Sequence, residues 1–270
     1  MIDTTVKVAD KLVGEYDIIP NPWIKEFYNE NQELVSVEFH GITAIRPYAF
    51  SGCTNLALTS LPDGITSIGV RAFEGCSNLA LTSLPEGLTS IEWSAFESCT
   101  NLALTSLPEG LTSIGSNAFN DCTNLALTSL PAGVTSIGGG AFNSCTNLAL
   151  TSLPDGLTVI LMEAFSDCIN LALTSLPEGL TSIGAGAFSR CTNLALTSLP
   201  EGLTTISFGA FENCTSLTSI TFKGTPTTIE SSAFSGCTNL TEIKVPWSEG
   251  AVSGAPWGAT NATIIYNYVG

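Results

Sequence analysis

The stretch Cys99-Thr-Asn-Leu-Ala-Leu-Thr-Ser-Leu-Pro-Glu-Gly-Leu-Thr-Ser-Ile114, continued by Gly115-Ser-Asn-Ala-Phe119-Asn-Asp-Cys122, decides the fold. Leu102, Leu104 and Leu107 are apolar residues in a short run rich in strand formers. Pro108-Glu109-Gly110 is a turn, because proline presets φ and glycine relieves strain. Leu111-Thr-Ser-Ile114 is a second extended piece, and Gly115-Ser-Asn is a loop. Ala118 to Cys122 is too short for an α-helix and suits a single helical or 3₁₀ turn. Nowhere does an apolar period of 3.6 residues persist.

The unit recurs on both sides. Cysteine occupies 53, 76, 99, 122, 145, 168, 191, 214 and 237, and nowhere else in the 270 residues, always 23 apart. Three residues before each cysteine is a phenylalanine, from Phe50 to Phe234, and before each phenylalanine an alanine. An isoleucine column runs from Ile45 to Ile229 with the same step. Self-similarity at this period signals a solenoid. The spacing predicts a β-rich array of nine 23-residue turns with short parallel strands and 3₁₀ turns. Strands about 4.8 Å apart make it roughly 40 Å long. Arrays of this kind grow by adding turns rather than by enlarging one core.

The pattern Cys-x-x-Leu-x-x-Ile-x-Leu-Pro, Leu-Thr-Ser-Ile-Gly, Ala-Phe-x-x-Cys resembles the BspA-like leucine-rich repeats of bacterial surface proteins. The resemblance covers roughly residues 34–246. It implies a curved leucine-rich-repeat solenoid with a parallel sheet on its concave side. It also implies adhesion or protein binding at a cell surface, and brings no catalytic residues.

One feature departs from that family. Cys214, Leu217, Ile220, Phe222 and Cys237, Leu240, Ile243, Val245 fit it, but seven earlier repeats place the second leucine one residue early. Leu58 follows Cys53 by five positions, and Thr59 stands where the family has isoleucine. A one-residue shift sends a side chain to the opposite face of a strand. Either a bulge keeps the Leu58 column inside, or seven leucines stack outside. The bulge is favoured, since seven buried threonines would each need a partner.

The ends do not repeat. Residues 1–33 are assigned to an N-terminal cap, 34–245 to the solenoid and 246–270 to a C-terminal cap. Asn21-Pro22-Trp23 has the N-cap and N1 residues of a helix, with Trp23 and Phe27 on one side. A small helical cap over the first repeat is therefore expected. After Pro246 the chain is rich in Gly and Ser, and Asn261 to Tyr268 reads as a final strand cap.

Acidic residues outnumber basic ones 24 to 8, for a net charge of −16. Without clustered Lys or Arg, nucleic acid and anionic membrane are poor partners, and a cationic or polar partner is easier to accommodate. The segment from Met1 to Pro20 is charged at Asp3, Lys7, Asp10, Lys11, Glu15 and Asp17 and lacks the apolar core of a signal peptide. The resemblance implies a secreted or surface protein; a phage-borne structural or receptor-binding protein, or an intracellular one, would explain the missing signal equally well. A monomer that does not insert into membranes is expected.

The cysteine ladder is read as buried thiols. Each cysteine is alone in its repeat and the single histidine is His40, which argues against zinc. In-register side chains aim the same way and nine is odd, which argues against disulfides. The acidic column Asp63, Glu86, Glu109, Asp155, Glu178, Glu201 supplies one carboxylate per turn, short of what calcium requires. The asparagine column from Asn55 to Asn193, resumed at Asn239, is expected to be buried and to satisfy backbone groups of adjacent coils. Nothing combines a nucleophile with a base, or pairs carboxylates for catalysis. No enzyme, cofactor or metal is expected. Exposed Thr59-Ser60 and Thr66-Ser67 columns leave ice or crystalline-surface binding as the alternative function.

Columns that do not vary hold the coil together, so specificity belongs where the repeats differ. Seventeen residues after each cysteine stand Val70, Trp93, Ser116, Gly139, Met162, Ala185, Phe208 and Ser231. Trp93, Met162 and Phe208 are large and apolar in a loop, with Tyr48 and Arg71 alongside. Such residues favour interface centres. The expected function is a non-catalytic protein-binding or adhesion module, with host matrix or cell-surface proteins as partners, using Tyr48, Arg71, Trp93, Met162 and Phe208.

Overall fold

The structure is a computed structural model and describes residues 24–269. It is a β-solenoid of about ten turns of 23 residues. Two longer strands, β1 (Ile24–Tyr28) and β2 (Leu34–Phe39), open it. A ladder of two-residue strands follows, one per turn: β3 (Ala44–Ile45), β4 (Ser67–Ile68), β5 (Ser90–Ile91), β6 (Ser113–Ile114), β7 (Ser136–Ile137), β8 (Val159–Ile160) and β9 (Ser182–Ile183). The last turns add β10 (Ser198–Leu199), β11 (Thr205–Ile206), β12 (Ser219–Phe222), β13 (Thr228–Ile229), β14 (Glu242–Lys244) and β15 (Thr263–Ile265). Along the Ser-Ile column every parallel pair is offset by one repeat, as in Ile45↔Ile68 and Ile114↔Ile137. The isoleucines point inward and are buried, while the preceding residues face outward.

The Ala-Phe-x-x-Cys segment forms the opposite wall without a helix. Its amides alternate in direction. Those of Tyr48, Phe50 and Gly52 donate to the carbonyls of Val70, Ala72 and Glu74 in the next coil at 2.9, 2.8 and 2.7 Å. Between them, Ala49, Ser51 and Cys53 close i→i+3 turns onto Arg46, Tyr48 and Phe50. These are 3₁₀-type turns interrupted at every second residue, so no 3₁₀-helix propagates. The alternation requires left-handed backbone at Tyr48 and Gly52 (φ +60° and +75°), and at their counterparts in most repeats. Behind this wall the nine phenylalanine rings stack, with centroids 5.2–5.6 Å apart and planes within 17°.

The shifted leucines point inward. Leu58, Leu81, Leu104, Leu127, Leu150, Leu173 and Leu196 are buried, and Thr59 and its six copies are exposed. The inward residues are then Leu56, Leu58 and Leu61, with Thr59 and Ser60 both outside. Two successive outward residues break the pleat, so this face carries no strand in its first six cysteine-bearing coils. Single bonds such as Ala80 N–H to Leu58 O at 3.0 Å tie those coils instead. Where Ile220 and Ile243 restore the family spacing, the face becomes the sheet β10-β12-β14-β15.

Two expectations need correction. The expected N-terminal helix does not form where residues are described: β1 pairs antiparallel with β2, placing Phe27 opposite Ser36. Asn21, Pro22 and Trp23 lie outside the described residues. Local cap signals favour a helix, but over 24–28 the chain instead meets a strand it can pair with, and such tertiary context overrides propensity. The asparagines, expected buried, are exposed from Asn78 onward and Asn55 is half-buried. Side-chain amides link Asn101 to Asn78 at 3.4 Å and Asn193 to Asn170 at 3.3 Å. Only Asn170 and Asn239 in that column reach a backbone carbonyl of the preceding coil, both at 2.9 Å.

At the far end β15 adds to β14 in register. Trp257, fully buried, receives the Phe234 amide on its carbonyl at 2.9 Å, as an alanine does in every other turn. With Trp247 and Phe222 it forms an aromatic plug over the last ring of the stack.

Candidate binding surface

The variable loop between the isoleucine and alanine columns is held from coil to coil. Arg71 N–H donates to Trp93 O at 3.0 Å, Gly140 N–H to Met162 O at 2.9 Å, and Gly186 N–H to Phe208 O at 2.9 Å. The backbone beneath each large residue is thus part of the ladder, while its side chain points away from the core. Met162 and Phe208 are 58% and 59% exposed, Tyr48 and Trp93 44% and 42%. Leu161 is exposed beside Met162, and its only trace in the sequence is that it stands where Gly69, Gly115, Gly138 and Gly184 stand in other repeats.

The sequence-predicted residues fall into two groups. Arg71 and Trp93 meet, the guanidinium carbon 4.4 Å from the ring centroid, while Arg71 pairs with Glu74 at 3.3 Å. Tyr48 lies one turn before Arg71. Met162 and Phe208 lie further along the same ridge, three and five turns beyond Trp93, where each turn advances 5.5–5.6 Å in the phenylalanine stack below. The residues between them, Ser116, Gly139 and Ala185, are small. Tyr48, Arg71 and Glu163 hold left-handed backbone (φ +60°, +53° and +55°) without being glycine. That conformation costs about 1–2 kcal/mol per residue.

The other columns are structural. Every thiol from Cys76 to Cys237 donates to the carbonyl of the phenylalanine 26 residues earlier, at 2.9–3.0 Å, and all nine cysteines are free. Burial pushes these thiols up, Cys237 to about 11 and the interior ones further. The acidic turn column is exposed, and Glu178 bridges to Lys223. Among the described residues no three His, Cys, Asp or Glu side chains are grouped to hold a metal ion, and no helix is long and apolar enough to cross a membrane.

Coil, ladder and phenylalanine stack together define a leucine-rich-repeat solenoid. The chain belongs to the BspA type leucine-rich repeat family, whose model matches residues 24–149 and 140–252 in six copies. Among solved structures it resembles the leucine-rich repeat protein of T. pallidum, with 31% identity over 66% of this chain and 91% of that one and a TM-score of 0.52. A leucine-rich repeat protein of Bacteroides ovatus shares 24% identity over 93% and 77%, with a TM-score of 0.56. The pneumococcal vaccine antigen PcpA shares 20% over 89% and 61%, with a TM-score of 0.54. The last two likenesses are of fold alone. Comparison with curated sequences returns no significant match.

Proposed function

We propose that the chain is a non-catalytic protein-binding module of the adhesion type, and that it binds through the loop ridge of Tyr48, Arg71, Trp93, Met162 and Phe208. The observation that carries this is the exposure of large apolar side chains on a ridge whose other members are small. Monomeric proteins leave few such residues clustered outside binding sites. Apart from Val159 and Ile169, the remaining outward columns are mostly Thr, Ser, Asn and acid, which offer little hydrophobic anchoring. A surface or secreted location accords with the family.

The test is capture from intact cells and from host matrix proteins, with the native chain and with Trp93, Met162 and Phe208 replaced by Ser together. The native chain should retain a partner that the triple variant loses, with the variant still folded. Equal retention by both moves binding to another face.

A further inference from the structure

Resting on that reading, we infer that the ridge takes a cationic amphipathic α-helix of a partner protein, lying along the solenoid axis. Two independent features of the ridge point to this occupant.

The first is pitch. The phenylalanine rings beneath the ridge repeat every 5.5–5.6 Å from coil to coil, and an α-helix rises about 5.4 Å per turn. A helix laid along the ridge therefore meets one coil per turn and keeps that phase. An extended strand, at about 3.3 Å per residue, does not. Trp93 and Phe208 are five coils apart, which about 18 residues of helix span. Between the protruding anchors, the coils of Ser116, Gly139 and Ala185 form saddles. Helix residues at i, i+4, i+7 and i+11 share one face and meet successive coils, so the partner's apolar side chains enter the saddles while the anchors pack between its turns.

The second is charge. Glu92 adjoins Trp93, Glu163 adjoins Met162, and Glu212 follows Phe208 by four residues. Asp121 and Glu97 lie on the adjoining Ala-Phe-x-x-Cys segments. Among the described residues none of these five forms a salt bridge, whereas Arg71 and Arg190 on this face are taken by Glu74 and Asp167. Apolar anchors flanked by carboxylates outside any salt bridge, Glu92 accepting a hydrogen bond from the Ser90 hydroxyl at 2.8 Å, match a helix with an apolar stripe bordered by Lys or Arg. They reject an acidic one by like-charge repulsion.

The probe is a synthetic helix of about 22 residues with Leu along one face and Lys on both flanks. Two relatives accompany it, one with every Lys changed to Glu and one with a central Pro. Fluorescence anisotropy of labelled peptide reads binding to the full chain. The Lys helix should bind the native protein, and at least tenfold more weakly both the Trp93, Met162, Phe208→Ser variant and the E92Q/E163Q/E212Q variant. The Glu peptide and the Pro-broken peptide should each lose at least tenfold on the native protein. Equal binding of the Lys helix to native and triple-Ser protein overturns the inference, as does equal binding of the Pro-broken peptide. Failure of the Lys helix to bind, while captured partner is still lost in the triple-Ser variant, overturns the helix and leaves the ridge. Capture unaffected by the triple-Ser change removes both.

Discussion

Replacing Phe119 by Ala tests whether the ring stack carries the solenoid's stability. Phe119 is fully buried and sandwiched between Phe96 and Phe142, both at 5.6 Å and nearly parallel. Truncating a buried Phe costs about 3–5 kcal/mol, more where the site cannot collapse. Each aromatic contact contributes about 0.5–1.5 kcal/mol beyond burial, and two are lost. The walls cannot close on the void, because the alternating amides of Phe119 and its neighbours fix the coil spacing on both sides. The expected loss is therefore near the upper end, about 4–5 kcal/mol. Phe50→Ala should cost less, about 3 kcal/mol, because it has a stacked ring only on the Phe73 side and Phe39 edge-on at 6.1 Å on the other. In a quasi-one-dimensional array the loss at mid-chain also uncouples the two halves. Urea unfolding followed by circular dichroism should show a lower midpoint and a broader transition for Phe119→Ala than for Phe50→Ala. A native midpoint and slope for Phe119→Ala, or equal effects at both sites, would refute the reasoning.

The inward leucine shift predicts that Leu127→Ala costs about 2–5 kcal/mol, while Thr128→Ala stays within about 0.5 kcal/mol; urea midpoints for the pair decide it, and similar losses would place Thr128 in the core. A thiol reagent should modify few of the nine cysteines in native protein, Cys53 first because it alone is half-exposed, and all nine after denaturation; one or two free thiols in denatured, unreduced protein would mean disulfides. Because burial holds the folded thiols above their ordinary value of 9.0, their contribution is complete below that pH and lost above it, as the unfolded chain releases protons. Each interior thiol should then cost about 1.4 kcal/mol per pH unit above about 9, so the urea midpoint should be level from pH 6 to 8 and fall steeply from 9, less steeply in Cys122→Ala. A midpoint level through pH 10 would contradict it. Glu163→Gly should raise stability by about 0.5–1 kcal/mol, relief of left-handed strain exceeding the added chain entropy, while weakening partner binding; a loss of stability would show that Glu163 is not strained.

The period made the solenoid legible, since one 23-residue unit repeated nine times fixes which columns face inward. The Leu58 column was decidable because burying seven threonines would leave seven unpaired hydroxyls. Columns with no such penalty were not: an asparagine satisfies its amide equally well buried or, as here, exposed beside the next asparagine. Nor were the ends. The pairing of residues 24–28 with 34–39 is non-local, and Trp257 occurs once, so neither leaves a periodic trace. On the ridge, Trp93, Met162 and Phe208 stood out as large residues among small ones. The stacking of Arg71 on Trp93 and the left-handed backbone of Tyr48 and Glu163 arise only when coils are placed side by side.

The most direct measurement of where binding occurs is hydroxyl-radical footprinting of the chain, free and bound to its captured partner, read residue by residue by mass spectrometry. Trp93, Met162 and Phe208 combine reactive side chains with exposures of 42%, 58% and 59%, so each is oxidised readily in the free protein. Bound, all three should be protected together, with exposed Ile169, outside the ridge column, unchanged. Undiminished oxidation of the three while the partner is bound would place the partner on another face and contradict the account.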